Sequence, residues 1–226
     1  MAAGGGKLKS VRLTAPVRPE DIDALELGAV VYLDGVIYTG REGVYQRIIA
    51  DGHAPPVDLA SVSNVNFHCS PAASRRDDGT FKIGAVTGTA SFRFTKWLTD
   101  WFELSGCKMI IGKGGMSEAD YKTYFVPNGA VYLLTVGYGT GALLGRGIKR
   151  VRDVYWLDEL GIAQAMWVLE VENFGPLLVD CDRAGNSLFE AHNRAMKAKI
   201  EAAYEGLKKP ALGRFGETDD RGEELI

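Results

Sequence analysis

The feature that most constrains the fold is an apolar run that ends in a glycine-rich loop. The run 107–111 is typical of a buried strand, and it passes directly into Gly-Lys-Gly-Gly at positions 112–115. Ser117 and Asp120 follow at the spacing of a capping box, which indicates that a helix begins there. A strand, a tight loop and a helix in this order predict an α/β unit.

The loop itself has the chemistry of an anion site. The backbone N–H groups of Gly112 and Gly114, the cation of Lys113 and the positive end of the new helix favour carboxylate or phosphate. The alternative is a tight turn whose lysine points into solvent. A nucleotide-binding P-loop is excluded, because five residues separate Gly106 from Gly112 and a glycine follows Lys113 where Ser or Thr is required.

Composition excludes several classes of protein. The chain has 226 residues, of which 46% are hydrophobic and 24% are charged, as in an ordinary globular protein. A formal net charge of −3 gives no support for nucleic-acid binding through bulk charge. No apolar run approaches the roughly 20 residues of a membrane-spanning helix, and the N-terminal residues lack the apolar core of a signal peptide. We therefore expect a cytoplasmic protein with neither nucleic-acid nor membrane partners.

The cysteines do not have the spacing of a metal site. Cys69, Cys107 and Cys181 are far apart, and no C-x-x-C pair exists. Cys107 and Cys181 lie in apolar runs, where a buried inert thiol is expected, whereas Cys69 follows a histidine and is more ambiguous. The sequence therefore predicts no metal ligands in this chain and no iron–sulfur cluster held by it alone.

The order of apolar and polar segments predicts a single compact domain of the α/β class. Residues 1–9 are expected to form a flexible tail and residues 209–226 a polar C-terminal tail, which leaves a domain over 10–208. Strand-type and helix-type runs alternate inside it. Both hairpin and crossover signals occur, so the sheet is expected to be mixed.

Local signals place the individual elements. The strand-like run 30–33 is followed by Asp34-Gly35, which predicts a hairpin turn into a second strand over 36–38. An apolar helical face that includes Trp97 and Trp101 is expected to end at Gly106. Further strands are predicted at 107–111, 130–136, 151–156, 166–171 and 176–181. A capping box at 187–190 predicts a last helix with Phe189, Met196, Ile200, Ala203 and Leu207 on one face.

A second glycine-rich stretch begins at Gly137. Residues 137–142 match the pattern G-x-G-x-x-A that binds dinucleotides. That site requires a sustained helix after the pattern, but Gly145 and Gly147 follow closely. We therefore predict that 137–147 is a flexible loop with no role in dinucleotide binding.

Two further basic elements lie where strands pass into helices. Arg41 follows a strand, and its fork of donors is suited to a carboxylate, although an ion pair with Glu42 or another surface acid is an equal alternative. Thr89 and Arg93 precede the tryptophan-rich helix, where a plain N-cap cluster is the alternative. Arg41, Arg93 and Lys113 thus lie at three strand-to-helix transitions, where α/β folds build ligand sites.

Ordered motifs along most of the chain, from about residue 13 to 207, carry a family resemblance. The motifs are Gly28-x-x-x-Tyr32-Leu33-x-Gly35, Thr39-Gly40-Arg41-Glu42, Phe67-His68-Cys69-Ser70-Pro71, Thr89-Ala-Ser-Phe-Arg93, Gly112-Lys-Gly-Gly-Met116, Trp156-x-x-Glu159-Leu160-Gly161 and Glu172-Asn-Phe-Gly-Pro176. With these motifs the chain resembles the C-terminal domain of class I fumarases and the beta subunit of two-subunit hydro-lyases of the L(+)-tartrate dehydratase type. The resemblance implies a swivelling β/β/α domain.

The resemblance also implies an activity and its partners. Enzymes of this family add or remove water at a 2-hydroxy dicarboxylate with a [4Fe–4S] cluster whose open iron acts as a Lewis acid. The cluster cysteines lie in the other domain or subunit. The resemblance therefore implies that this chain is a hydro-lyase subunit, active only with a cluster-bearing alpha subunit, in a homo-oligomer of alpha–beta units.

Individual roles follow from the same resemblance. Arg41, Arg93 and Lys113, with Gly112 and Gly114 beside the lysine, are implied to bind the substrate carboxylates. Fixed cations would stabilise the charge that develops when a proton next to a carboxylate is removed. Thr89 occupies the position of the family's catalytic base, a task in which neighbouring cations or a carboxylate of the partner would have to assist it.

The chain also departs from the family pattern. Glu42 replaces an aspartate, Tyr45 stands near the usual histidine, Ser70 replaces a glycine, and phenylalanines flank Arg93. The stretch 137–147 resembles an insertion relative to the tartrate dehydratase subunit. These departures favour an altered substrate, and they keep open a diverged, non-catalytic module that binds a dicarboxylate or a partner.

Overall fold

A computed structural model describes residues 8–137, 139–203 and 205–206 of the chain. Residues up to Ala191 form one compact unit, and a second unit begins at His192. The predicted C-terminal tail, Leu207 and most of the predicted N-terminal tail lie outside the described residues. The predicted fold class, α/β with a mixed sheet, is confirmed.

The strands and helices alternate along the chain. The strands are β1 (Ser10–Ala15), β2 (Val30–Thr39), β3 (Val65–Phe67), β4 (Cys69–Arg75), β5 (Phe81–Gly88), β6 (Met109–Gly112), β7 (Val131–Thr135), β8 (Ile148–Tyr155) and β9 (Met166–Cys181). The α-helices are α1 (Pro19–Asp23), α2 (Glu42–Tyr45), α3 (Leu59–Val62), α4 (Leu98–Ser105), α5 (Glu118–Asp120), α6 (Val126–Asn128), α7 (Thr140–Gly147), α8 (Leu157–Leu160) and α9 (Leu188–Ala203). Gln46–Ala50 and Tyr121–Phe125 are π-helical, and Ser91–Trp97 is a 3₁₀ helix.

The main sheet closes on itself. Its strand order is β1-β2-β3-β6-β7-β9-β8, and β2 also pairs with β9. Strands β1, β2, β3, β6 and β7 run parallel to their neighbours in this order, whereas β9 is antiparallel to β2, β7 and β8. Leu178 of β9 lies opposite both Val30 of β2 and Leu134 of β7. The pairs therefore form a ring, while β4 and β5 form a separate hairpin.

Two hydrophobic cores use opposite faces of the sheet. Ile111 and Leu133 belong to one core, whereas their chain neighbours Ile110 and Tyr132 belong to the other. This alternation follows from the two-residue period of a strand. The second core contains Trp101 of α4, which ends before the left-handed Gly106, as predicted.

The predicted hairpin at Asp34-Gly35 is wrong, because β2 continues through both residues. Gly35 has φ of 102°, and the register of β2 against β9 shifts just before it. A Cβ at this position would overlap the carbonyl oxygen of Ala15 in β1. Gly35 therefore permits two strands to approach closely. The Asp34-Gly35 dipeptide had predicted a turn instead.

The predicted strands 166–171 and 176–181 are one strand, β9. Pairing with β2, from Val168 to Leu178 and with two register shifts between Val31 and Gly35, places both halves in the same ladder. The residues between the halves depart from regular geometry, and Asn173 has φ of 51°. Tertiary pairing therefore overrides a local break signal.

The prediction of a flexible loop over 137–147 is also wrong, because Thr140–Gly147 forms α7. A Cβ at Gly145 would overlap the backbone at Gly84 in β5, and one at Gly147 would lie 2.9 Å from Phe174 Cα in β9. These glycines therefore let the helix pack directly on backbone. The many glycines of this segment predicted a loop, because the backbone on which they pack is distant in sequence and local signals do not show it.

The last helix begins as predicted. Ser187 Oγ accepts a hydrogen bond from the backbone N–H of Glu190 at 3.3 Å, and α9 follows. Phe189, Met196 and Ile200 of its predicted apolar face are about half exposed, at 48%, 48% and 50%. None of the described helices is both long and apolar enough to cross a membrane.

Candidate functional site

The predicted site residues lie at one edge of the sheet. Arg41 follows the end of β2, His68 follows β3, Lys113 follows β6 and Gly137 follows β7. Because these four strands are parallel, their carboxyl ends meet at the same edge. Ligand sites lie at this edge both in open α/β sheets and in closed parallel barrels.

Thr89 and Lys113 are joined through their backbones. The N–H of Lys113 donates to the carbonyl of Thr89 at 3.1 Å, and the N–H of Ser91 donates to the carbonyl of Lys113 at 3.1 Å. The N–H of Thr89 donates in turn to the carbonyl of His68 at 2.6 Å. The segment after β5 is thereby held between the ends of β3 and β6. The side chain of Thr89 is nearly buried, at 9% exposure.

Arg41 is held by neutral groups. Its Nη1 donates to Ser70 Oγ and, at 2.9 Å, to the carbonyl of Ala163. Its buried Nε has no hydrogen-bond partner. Within the described part of the chain Arg41 forms no ion pair, so the alternative of a pair with Glu42 does not hold. The orphaned donor is a group that a bound carboxylate oxygen would satisfy.

Arg93 and Lys113 complete a cluster of cations. Arg93 lies on the 3₁₀ helix, exposed, with Cζ 5.4 Å from the centroid of the Phe94 ring. Burial lowers the pKa of the Arg41 guanidinium, and the charge of Arg93 lowers it further, so the two arginines are neighbours. Neither Arg93 nor Lys113 forms an ion pair with any residue that the structure describes. Cations without an acidic partner at one edge of a sheet attract an anion.

The helix start that follows the glycine loop offers a ligand fewer free N–H groups than the sequence predicted. The capping box is confirmed, with Ser117 Oγ accepting from the N–H of Asp120 at 3.0 Å. The N–H of Ser117 bonds the Asp120 carboxylate, and the N–H of Met116 donates to Tyr121 Oη at 2.9 Å. The start of α5 is therefore satisfied internally. Lys113 and the backbone of Gly114, which faces open space, remain for a ligand.

A buried network of hydrogen bonds connects the segments that carry the cations. Asn66 Nδ2 donates to Tyr45 Oη at 2.7 Å, and Tyr45 Oη lies 2.6 Å from His68 Nε2. His68 Nδ1 lies 2.8 Å from Ser91 Oγ, which also accepts from Tyr132 Oη at 2.7 Å. Ser91 Oγ donates to the carbonyl of Thr89 at 3.4 Å, so it accepts from Nδ1–H of His68, and Nε2 of the neutral ring accepts from the Tyr45 hydroxyl.

His68 is neutral in this network at neutral pH. Burial, and then the charge of Arg41, lowers the pKa of His68 to about 3. A Cβ at Gly112 would overlap Ser91 Oγ and Tyr132 Oη, so the glycine leaves room for the end of the network. Local sequence signals missed Ser91 and Tyr132 because their partners lie 23 and 41 residues away.

The cysteines do not fit a metal cluster. Cys69, Cys107 and Cys181 are free and buried. Burial raises the pKa of Cys107 to about 11 and raises the pKa values of the other two thiols, whereas cluster ligands must be thiolates. Within residues 8–137, 139–203 and 205–206, no group of three or more His, Cys, Asp and Glu side chains could hold a metal ion.

Comparison with known proteins identifies the family. The sequence matches the family described as Fumarase C-terminus over residues 2–192. This chain belongs to the fumarase C-terminus family. The resemblance inferred from the motifs is thereby confirmed.

Three relatives illustrate the range of the fumarase C-terminus family. A putative L(+)-tartrate dehydratase subunit beta of Methanocaldococcus jannaschii is 38% identical over 184 residues, which cover 80% of this chain and 92% of the relative. The L(+)-tartrate dehydratase subunit beta of Escherichia coli K12 is 30% identical over 83% of this chain and 90% of its own. A putative class I fumarate hydratase of Geobacillus stearothermophilus is 32% identical over 88% of this chain but only 37% of its own length.

Two departures from the motif pattern of the fumarase C-terminus family have places in the site. Ser70 accepts a hydrogen bond from Arg41 Nη1, and Tyr45 connects Asn66 with His68. Both substituted side chains are therefore integrated with the residues that the sequence analysis singled out. They reshape the surroundings of the cations without neutralising them.

Proposed function

We propose that this chain is the beta subunit of a [4Fe–4S]-dependent hydro-lyase that adds or removes water at a 2-hydroxy dicarboxylate. The observation that carries the proposal is that Arg41, Arg93 and Lys113 lie with Thr89 at one edge of the sheet, and that none of the three forms an ion pair with a residue that the structure describes. Two or more cations at one edge of a sheet suit a ligand with two carboxylates.

The relatives support this proposal. Two of them are described as L(+)-tartrate dehydratase subunit beta, and this chain covers at least 90% of the length of each. A beta subunit implies an alpha partner. Because the thiols of this chain do not fit a cluster, the proposal assigns the cluster to that partner, in a cytoplasmic assembly of alpha–beta units.

The chemical task of this chain follows from its cations. Removal of a proton next to a carboxylate places a second negative charge on that group, and fixed cations stabilise the charge as it develops. Arg41 is oriented for this by its bonds to Ser70 and Ala163 before any ligand arrives. Thr89, held between His68 and Lys113, is the proposed base, with the nearby cations favouring its alkoxide.

Reconstitution with the partner tests the proposal. The chain is co-expressed with a cluster-bearing alpha subunit under anaerobic conditions, and the complex is assayed with fumarate, malate, tartrate and mesaconate. We expect activity on at least one of these, and a loss of about 100-fold or more in kcat/KM for Lys113→Ala and Arg93→Ala. Lys149→Ala is the control, because Lys149 pairs with Glu172 on the β8–β9 ribbon.

Two results would overturn the proposal. One is the absence of a stable complex with the alpha subunit. The other is an active complex that is indifferent to both substitutions, which would leave a diverged, non-catalytic module as the better description of the cation cluster.

A further inference from the structure

A cavity of about 510 Å³ opens beside Lys113. The end of β5 with Val86 and Gly88 forms one wall, Thr135 at the end of β7 forms another, and the first turns of α7 close the space. Lys113 is thus shared between this cavity and the cation cluster. The cavity is not needed to bind the two carboxylates of a small diacid.

The walls of the cavity combine apolar side chains with glycines and with the three threonines Thr87, Thr135 and Thr140. Val86 and Leu144, each 1% exposed, line its buried side, and the exposed Ala142 lines it from the first turn of α7. The hydroxyl of Thr135 donates to the carbonyl of Gly112 at 3.2 Å, and so is already used within the protein. Lys113 is the one charged residue among the lining residues that the structure describes.

The helix wall is firmly supported. Gly145 packs α7 against the backbone of β5, and Gly147 packs it against Phe174 of β9. A Cβ at Gly141 would lie 2.9 Å from the carbonyl oxygen of Val86, so the first turn is equally close to β5. The cavity is therefore bounded by packed elements on both sides, as a preformed pocket is.

The size of the cavity exceeds the need of an unbranched four-carbon diacid. Pockets that enclose drug-sized ligands are about 300–1,000 Å³, and this cavity of about 510 Å³ is within that range. We propose that it receives an apolar substituent of three or more carbons on a dicarboxylate whose carboxylate is bound by Lys113. This inference rests on the proposed function for the dicarboxylate and deepens it, because it assigns the substrate class.

The substrate class is therefore a 2-hydroxy dicarboxylate with an alkyl or aryl branch. Lys113 fixes one carboxylate at the mouth, and Val86, Ala142 and Leu144 contact the branch. Each buried methylene of the branch is expected to raise kcat/KM about fourfold. An unbranched substrate leaves the cavity to water and gains nothing from it.

A substituent series tests this inference. The alpha–beta complex is assayed with fumarate and with 2-methyl-, 2-propyl- and 2-isobutylfumarate, in the parent and in Ala142→Leu, whose larger side chain fills the cavity. We expect kcat/KM to rise along the series in the parent. In Ala142→Leu the rise disappears, so that kcat/KM for 2-isobutylfumarate falls relative to kcat/KM for fumarate. Leu143→Ala is the control, because Leu143 is exposed on the same helix and does not line the cavity.

A binding experiment tests this inference independently of the proposed function. Calorimetry on the full chain compares succinate with 2-isobutylsuccinate, which cannot react, again in the parent and in Ala142→Leu. Tighter binding of the branched diacid, lost in Ala142→Leu, supports the cavity even if the complex proves inactive and the proposed function fails. Equal binding of the two diacids, or a substituent series that falls or stays flat in an active complex, overturns the cavity inference alone.

Discussion

Two groups of cations have opposite surroundings. One lies on the ribbon that β8 and β9 form, and the other lies at the carboxyl edge, where the ends of β2, β3, β6 and β7 meet. On the ribbon, Arg152 Nε lies 3.0 Å from Glu170 Oε2 and Arg150 Nη2 lies 3.4 Å from the same atom. At the carboxyl edge, Arg41 and Arg93 neighbour each other, and no acid pairs with either in the described part of the chain.

The difference separates charge that serves the fold from charge that serves a ligand. Paired, half-exposed cations contribute little either way, because solvent screens them. Neighbouring unpaired cations repel each other and destabilise the folded state. Natural proteins keep such local conflicts chiefly at functional sites. The unpaired cations therefore favour a ligand at the carboxyl edge over one at the ribbon.

The largest expected effect comes from changing the shape of one cation while keeping its charge. Arg41→Lys should lower kcat/KM of the alpha–beta complex by about 100-fold or more, because lysine cannot bond Ser70 and Ala163 and still present a donor fork to a carboxylate. Arg152→Lys on the ribbon is the matched control and should change kcat/KM less than about twofold. Equal effects of both substitutions would erase the contrast between the two regions.

The next effect concerns the hydroxyl at the centre of the cluster. Thr89→Ala should lower kcat about 100-fold with little change in KM, because a proton-transfer group acts on the chemical step. Thr95→Ala is the control, since its hydroxyl only bonds the carbonyl of Phe92 at 3.1 Å within the 3₁₀ helix. A change confined to KM would make Thr89 a binding residue instead of the base.

A third prediction tests the pH sensitivity of the carboxyl edge. His68 has a pKa of about 3 in the folded chain, far below its usual value of 6.5. Below pH 6.5 the unfolded chain therefore binds a proton that the folded chain does not, and stability is lost as the pH falls towards 3. The slope contributed by His68 is at most about 1.4 kcal/mol per pH unit.

Urea unfolding across pH 4 to 8 measures this slope. His68→Gln should flatten the dependence between pH 4 and 6.5. Tyr45→Phe is the control, because it keeps the imidazole and removes the two hydrogen bonds that the Tyr45 hydroxyl makes with His68 and Asn66. It should lower the free energy of unfolding by about 1–3 kcal/mol at every pH without changing the slope. A parent curve that is flat in this range would contradict a neutral, buried His68.

The sequence predicted the carboxyl edge better than it predicted the elements around it. Arg41 and Lys113 each follow a predicted strand, and local signals suffice for such positions. Gly35 and Gly145 were misassigned because a glycine that starts a turn and one that admits a neighbouring backbone look alike in sequence. Only the tertiary partner distinguishes them.

The hydrogen-bond network beneath the site was beyond local reasoning for a similar reason. His68 stood out beside Cys69, and Tyr45 stood out as a departure from the family pattern. Their connection through Ser91 to Tyr132 joins segments that only the closed sheet brings together. Spacing rules describe neighbours three or four residues apart, whereas these partners are 23 and 41 residues apart.

The smallest expected effect is the sharpest test of the comparison, because its sign differs between the two regions. Arg93→Met removes a cation that neighbours Arg41, and should raise the free energy of unfolding by a few tenths of a kcal/mol, roughly the scale of an exposed charge interaction. Arg152→Met removes a cation that bonds Glu170, and should lower it by a similar amount. Both differences should shrink in high salt, since screening weakens repulsion and attraction alike. If Arg93→Met destabilised the chain at low salt, Arg93 would have a structural partner, and the carboxyl edge would no longer differ from the ribbon.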